Sequence, residues 1–238
     1  MNSHLEVCPM RYVLLAVCLC VLGAGATLAD DIVTMPTANQ LKAGEVDAAA
    51  YYIDLDLPAG APRFVQYQTL YWGVTDWLEV DLHRARVDRD ETSVVGVVTL
   101  KALSETPTQP DVVVGVRNVA GVATTRNPAL REKSKDRSFF LSAAKTFFLN
   151  PQQPGPPLVR AHLSAGTADW TLLGEKRHEG VFGGLQFLFH PMVGGVVQYD
   201  GNDWIAGITV MPKNTGLTLK GGVYGDHTWF GLSYRRSL

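Results

Sequence analysis

No cysteine follows Cys20; the chain's three, Cys8, Cys18 and Cys20, all lie at its start. A disulfide framework and a cysteine-based metal site are therefore excluded for everything after the first segment. Val17 and Leu19 precede Cys18 and Cys20, where a lipid-modified cysteine would need a small residue, so a lipoprotein anchor is excluded as well. Charge of one sign is also lacking, with 21 Lys and Arg against 23 Asp and Glu, which argues against nucleic acid as the main partner. No apolar run reaches the roughly 20 residues that a spanning helix needs. Helical periodicity is nearly absent; Pro128 to Lys135 has room for one short helical turn. If such a chain enters a membrane, it must do so as a closed sheet, because only helices and barrels satisfy their backbone groups in lipid.

The first segment reads as an export signal over 1–29. Arg11 precedes the apolar run Tyr12 to Leu22, and small residues follow through Ala29, with Thr27 and Ala29 suited to a cleavage site. Met10-Arg11 makes a more typical start than Met1, because Glu6 is unusual ahead of a signal's apolar core. Residues 30–44 read as an extended N-terminal segment, and 45–238 as one β-barrel domain. The expected location is the outer membrane of a diderm bacterium, after cleavage.

What is present is strand and turn. Runs rich in Val, Phe, Tyr, Thr and Trp alternate with Gly, Pro, Asn and Asp clusters. The pattern predicts about twelve strands, over 45–55, 63–73, 76–86, 92–103, 111–119, 137–149, 157–164, 180–190, 193–200, 202–211, 215–223 and 227–235. Successive strand side chains point to opposite faces. Leu78, Val80 and Leu82 thus oppose Glu79, Asp81 and His83, and Val159, Ala161 and Leu163 oppose Arg160, His162 and Ser164. Near the end, Leu217, Leu219 and Val223 oppose Thr218 and Lys220, and Phe230, Leu232 and Tyr234 oppose Ser233 and Arg235.

Such alternation suits either a barrel in lipid, apolar side outward, or a soluble sandwich, apolar side inward. Strand length favours the barrel, since spans of about 9–11 residues match a tilted crossing of the bilayer. Aromatics near strand ends (Tyr71, Trp72, Trp77, Phe147, Phe148, Trp204 and Trp229) suggest an interfacial girdle. The two longest connections, 120–136 and 165–179, fall on one side of an up-and-down arrangement, as outer loops do. The expected fold is an all-β, antiparallel, up-and-down transmembrane barrel, with Glu79, Asp81, His83, Arg160 and His162 facing its lumen. The lumen is expected to be open, or plugged by side chains or by 30–44.

Four segments resemble the YjbH-type outer-membrane β-barrels linked to exopolysaccharide export. They are Ile32-Val33-Thr34-Met35-Pro36-Thr37-Ala38 with Leu41 and Gly44; Tyr71-Trp72-Gly73-Val74-Thr75-Asp76-Trp77-Leu78-Glu79-Val80; Gln198-Tyr199-Asp200-Gly201-Asn202-Asp203 with Gly207; and Phe230-Gly231-Leu232-Ser233-Tyr234. The resemblance implies a pore-like or scaffolding role in exopolysaccharide export or envelope assembly, with outer-membrane lipid and the barrel-insertion machinery as partners. It implies no catalytic residues. In one respect the chain departs: barrels of this kind end on an aromatic residue, whereas this one ends on Leu238.

Other constellations carry alternatives. Glu79, Asp81 and His83 share a strand face at spacing workable for a metal or acid–base site, or simply for a hydrated lumen wall. Arg160, His162 and Ser164 invite a nucleophile reading, which needs a base and an orienting group in reach. A barrel-embedded hydrolase and a soluble ligand-binding sandwich are accordingly the rival functions. Tyr199 to Asp203 has the oxygens of a calcium loop but lacks its length and closing Glu, so a hairpin turn is expected there. No pattern asks for a cofactor. The basic run Arg126, Arg131, Lys133, Lys135 and Arg137, set against Glu132 and Asp136, suits an acidic polysaccharide or lipid phosphate, or an ordinary solvated loop.

Overall fold

A computed structural model describes residues 35–55, 63–88, 91–125, 128–150, 152, 155–170 and 176–238. The export signal expected over 1–29 lies outside the described residues.

Twelve antiparallel strands close into one barrel, each paired with the next in sequence and the last with the first. They are β1 Glu45–Asp54, β2 Phe64–Thr75, β3 Leu78–Val87, β4 Glu91–Leu103, β5 Asp111–Arg117, β6 Ser138–Phe148, β7 Leu158–Gly166, β8 Gly180–His190, β9 Val193–Tyr199, β10 Trp204–Val210, β11 Leu217–Tyr224 and β12 His227–Ser237. The seam is paired from Glu45 opposite Ser237 to Asp54 opposite Thr228. Each strand has a neighbour on both sides, so none lies at the edge of an open sheet. The end that holds Glu45 and Ser237 is called lower below. Connections 118–137 and 167–179 are both at the upper end, as expected of the longest loops.

Turn chemistry explains where strands stop. Between β2 and β3, the Thr75 hydroxyl accepts the N–H groups of Trp77 (3.3 Å) and Leu78 (3.0 Å). Between β9 and β10, Asp200 Oδ1 accepts the N–H groups of Asn202 and Asp203 (2.9 and 2.8 Å), and Gly201 takes φ of 99°, where a side chain would be strained. The calcium-like segment is thus a hairpin turn. The expected helical turn is present as α1, Pro128–Arg131, followed by a single 3₁₀ turn at Lys133–Lys135.

The alternation separates two surfaces. Outward positions carry exposed apolar side chains on strand after strand, including Leu70, Leu82, Val94, Val114, Leu141, Leu163, Leu185, Val197, Ile208, Leu219 and Phe230. Leu163 is 63% exposed and Val181 66%, while Asp81 and Arg117 inside are 2% and 3% exposed. The molecule is inside-out relative to a soluble sandwich. Its interior is not uniformly polar, however. Tyr51, Ile53, Val65, Tyr67, Ala85, Ile205, Tyr224 and Trp229 form a packed apolar cluster within the wall.

Two aromatics expected in the girdle belong instead to the interior. Tyr71 is 4% exposed and Trp229 1%, because both fall on inward positions of their strands. Trp229 Nε1 donates to the Val223 carbonyl at 3.1 Å, which satisfies the indole in its buried setting. Trp72, Trp77, Phe147, Phe148 and Trp204 are exposed, Phe148 at the end of its strand on an inward position.

Glycines make room for interior rings. A Cβ on Gly231 would overlap the Tyr51 ring, and one on Gly115 the Phe140 ring. Gly115→Val is expected to displace Phe140 and to lower the thermal midpoint, with overpacking costing about 1–3 kcal/mol. An unchanged midpoint would mean that this part of the lumen is loosely filled.

Candidate functional site in the barrel lumen

The segment 35–44 runs inside the barrel as far as Leu41 and turns at the lower rim over 42–44, where Lys42 and Ala43 are exposed. It has no strand period, and its apolar side chains Met35, Ala38 and Leu41 are fully buried. Ala38 packs with Val113 of β5 and Ala144 of β6. Its polar groups are met by the wall. The Pro36 carbonyl accepts from Ser142 Oγ (3.3 Å), and the Leu41 N–H donates to Glu79 Oε2 (2.7 Å). Gln40 Nε2 donates to the Thr99 carbonyl and hydroxyl (3.0 and 2.9 Å). Asn39 Nδ2 donates to Gln186 Oε1 at 3.3 Å. Backbone polar groups buried in a lumen need such partners. The segment is a plug fastened to β3 through β8.

Arg160 fastens plug, wall and lower rim together. Its Nε donates to Asn39 Oδ1 (2.7 Å), Nη1 to Glu105 Oε2 (2.6 Å) and Thr146 Oγ1 (2.7 Å), and Nη2 to Asp111 Oδ2 (2.5 Å). A guanidinium can serve so many acceptors because its donors are fixed in a plane. Burial of the Glu105 carboxyl would raise its pKa, but the Thr146 N–H and hydroxyl and Arg160 together outweigh it and hold it below the usual value.

A second network lies higher. Arg117 Nη2 donates to His83 Nδ1 (2.8 Å) and to Tyr67 OH (2.6 Å), and Arg117 Nη1 pairs with Asp169 (3.1 Å). Because Arg117 can only donate, His83 Nδ1 is the acceptor and Nε2 carries the proton. His178 Nδ1 lies 3.6 Å from Asp169. Asp169, Arg177 and His178 are all buried, so the described part of the 167–179 connection folds inward over the upper end. It is held there by Arg177, which bonds Asp200 (3.0 Å) and Asp203 (2.6 Å), and by Tyr224 OH donating to Asp200 at 2.6 Å. Burial would raise the Asp200 pKa, yet the Asp203 and Asn202 N–H groups, Tyr224 and Arg177 outweigh it and depress it.

Both depressed carboxyls lie in connections, and their sign is the same. A carboxyl whose folded pKa is lowered contributes stability above its unfolded pKa and loses it as pH falls through the folded value. The chemical-denaturation midpoint should be level from about pH 7 to 5 and drop below about pH 4, the range of unfolded carboxyls. Asp200→Asn should shrink that drop. A midpoint that rises on acidification would contradict the assignment.

Every lumen residue expected from sequence is inward and buried: Glu79, Asp81, His83, Arg160 and His162. They do not form one centre. Glu79 caps the plug, His83 belongs to the Arg117 network, Arg160 ties the rim, and His162 Nε2 bonds Gln186 Oε1 at 3.0 Å. Ser164 Oγ donates to Ser142 Oγ (2.8 Å), away from His162, so the two do not make a nucleophile–base pair. Among the described residues no three of His, Cys, Asp and Glu converge as a metal site. Beside the plug lies a pocket of about 30 Å³, lined by Asp81, His83 and Arg117 among others, with room for a water or two.

The basic run sits on the upper loop. Arg131, Lys133, Lys135 and Arg137 are exposed, and Arg126 lies outside the described residues. The loop is folded around buried Ser134, whose hydroxyl donates to the Arg131 carbonyl (2.8 Å) and accepts the Thr124 N–H (3.1 Å). Not all of its charge is available: Lys135 bonds Glu132 (2.8 Å), and Lys133 lies over the Trp170 ring (5.5 Å).

Sequence reasoning passed over Arg117, Asp169, Arg177, Glu105 and Asn39, and read Asp200 only as part of a hairpin turn. Arg117 had a usable signal, since it closes the valine strand β5 on an inward position. The other five lie outside the strands, where no periodicity marks them.

No protein-family profile matches the chain, and no curated protein matches it. Among solved structures, the N-terminal β-barrel domain of Pseudomonas aeruginosa OprF is similar over 82% of this chain and 100% of that one, at 9% identity and a TM-score of 0.26. That is a distant likeness, and the barrel assignment stands on the strand pairing itself.

Proposed function

We propose that this chain is an outer-membrane β-barrel acting as a plugged scaffold in envelope or exopolysaccharide assembly, rather than as an open pore. One observation carries the membrane reading: an apolar belt faces outward around the barrel while charged groups are buried inside it. In water so large an exposed apolar surface favours aggregation; in lipid it is solvated. A scaffolding role is supported by the filled lumen, where the 35–44 plug, the apolar cluster and the inward loop take up the space that a porin leaves to water.

In planar bilayers the purified chain should give no steady conductance. Large, stable open steps would favour a pore.

The exposed basic loop suits an acidic glycan, by charge-assisted hydrogen bonds. Arg131, Lys133 and Lys135 replaced by Ser should weaken binding to an acidic polysaccharide and leave heat-modifiable gel mobility unaltered, since no strand is touched. Protease should cut this loop on intact cells. Cleavage only after the outer membrane is opened would place it in the periplasm and remove the external partner.

A further inference from the structure

The β2–β3 hairpin breaks the apolar belt on one side. Its outward positions run Gln66, Gln68, Leu70, Trp72 on β2 and Val80, Leu82, Arg84, Arg86 on β3. Gln68 is opposite Arg84 and Gln66 opposite Arg86, so the four polar side chains form a two-by-two patch above Leu70 and Leu82. Arg84 Nη1 donates to Gln68 Oε1 at 3.3 Å, which orients the guanidinium along the barrel wall. On the neighbouring strands the belt continues as Ala50, opposite Gln68, and Val94, opposite Arg84.

An aromatic ladder adjoins the patch. Tyr52, opposite Gln66, stacks between Phe64 (5.4 Å, 24°) and Phe230 (5.1 Å, 25°). Aromatics of this kind mark the headgroup level of a bilayer. Arginine on a lipid-facing wall is costly at the midplane and tolerated only toward the interface, where an anionic group can meet it. The guanidinium fork matches phosphate oxygens two at a time. Rim charges are mixed: Asp54 and Asp88 flank Phe64, and Arg63 precedes it.

Given the outer-membrane reading, on which this rests, the patch faces the outer leaflet, because the longest loops share its end of the barrel. We propose that Arg84 and Arg86, with Gln66, Gln68 and the Phe230–Tyr52–Phe64 ladder, bind the phosphorylated sugar headgroup of an outer-leaflet glycolipid. The arginines take the phosphate, the glutamines the sugar hydroxyls, and the ladder the adjoining apolar chain.

The test is native mass spectrometry of the full chain in detergent with diphosphorylated lipid A and with its dephosphorylated form. The wild type should hold the phosphorylated lipid about tenfold more tightly, the scale of charge-assisted hydrogen bonds. Arg84→Gln with Arg86→Gln should abolish that preference, and the double Lys variant should keep part of it; heat-modifiable mobility confirms that each is folded. Equal binding of the two lipids, or undiminished preference in the double Gln variant, overturns the proposal, including in favour of a protein docked on the patch. Vesicle flotation of the same preparations tests the membrane reading separately: a chain that floats but shows no phosphate preference sinks only the lipid site, and one that does not float sinks both.

Discussion

Leu163→Arg should cripple assembly of the barrel. Leu163 lies mid-strand on β7, paired with Ala143 and Gly183 and largely exposed on the outward face. An arginine facing lipid near the midplane costs about 2–4 kcal/mol. In outer-membrane preparations the folded, heat-modifiable band should fall severalfold, whereas Glu132→Arg in the exposed upper loop should leave it unchanged. Leu232→Arg on β12 is the equivalent change near the seam and should behave like Leu163→Arg. Its inner neighbour Ser233 is a poor neutral control, because it is buried in a filled interior, where a large side chain meets packed groups rather than water. Equal tolerance of Leu163→Arg and Glu132→Arg would mean that the outward face does not meet lipid.

Arg160→Met is expected to be the most damaging change inside the lumen. It leaves the Asp111 carboxylate without its cation, Glu105 with only the more distant Lys145 (3.7 Å), and Asn39 without its donor. Removing one member of a fully buried ion cluster costs about 3–5 kcal/mol, and the partial exposure of both acids and the remaining Lys145 place this change toward the lower end. Two readouts should move together. The thermal midpoint should fall, and hydrogen exchange in 35–44 should accelerate as the plug loses its central fastening. Replacing the acids as well, in Arg160→Met with Glu105→Gln and Asp111→Asn, should recover part of the stability. A normal midpoint with rapid exchange in the plug alone would show that Arg160 fastens the segment without supporting the wall.

The strands were legible because their period is two and one face is apolar. In β3, Leu78, Val80 and Leu82 against Glu79, Asp81 and His83 define both the strand and its orientation, and the structure keeps that orientation. Even β4, valine-rich on both faces, was found, since Val95 and Val97 go in while Val94 goes out. Grouping the aromatics by nearness to strand ends failed for Tyr71 and Trp229, because parity decides the face: Tyr71 and Trp72 are adjacent in sequence and on opposite sides of the wall. The interior contacts were not legible for a different reason. Asn39 and Arg160 are 121 residues apart, and Arg117 reaches Asp169 in an aperiodic loop. Closing the barrel brings them together, and no local pattern encodes that closure. The plug was foreseeable only as a possibility for 30–44, whose Met35, Ala38 and Leu41 follow no strand period.

The most direct measurement is fractionation of cells that express the whole chain, by osmotic shock without detergent followed by an alkaline carbonate wash. An apolar belt that faces lipid keeps the protein in the membrane pellet through both steps, with gel mobility that changes on boiling. Release of the chain into the shock fluid, with no detergent present, would contradict the account at its centre.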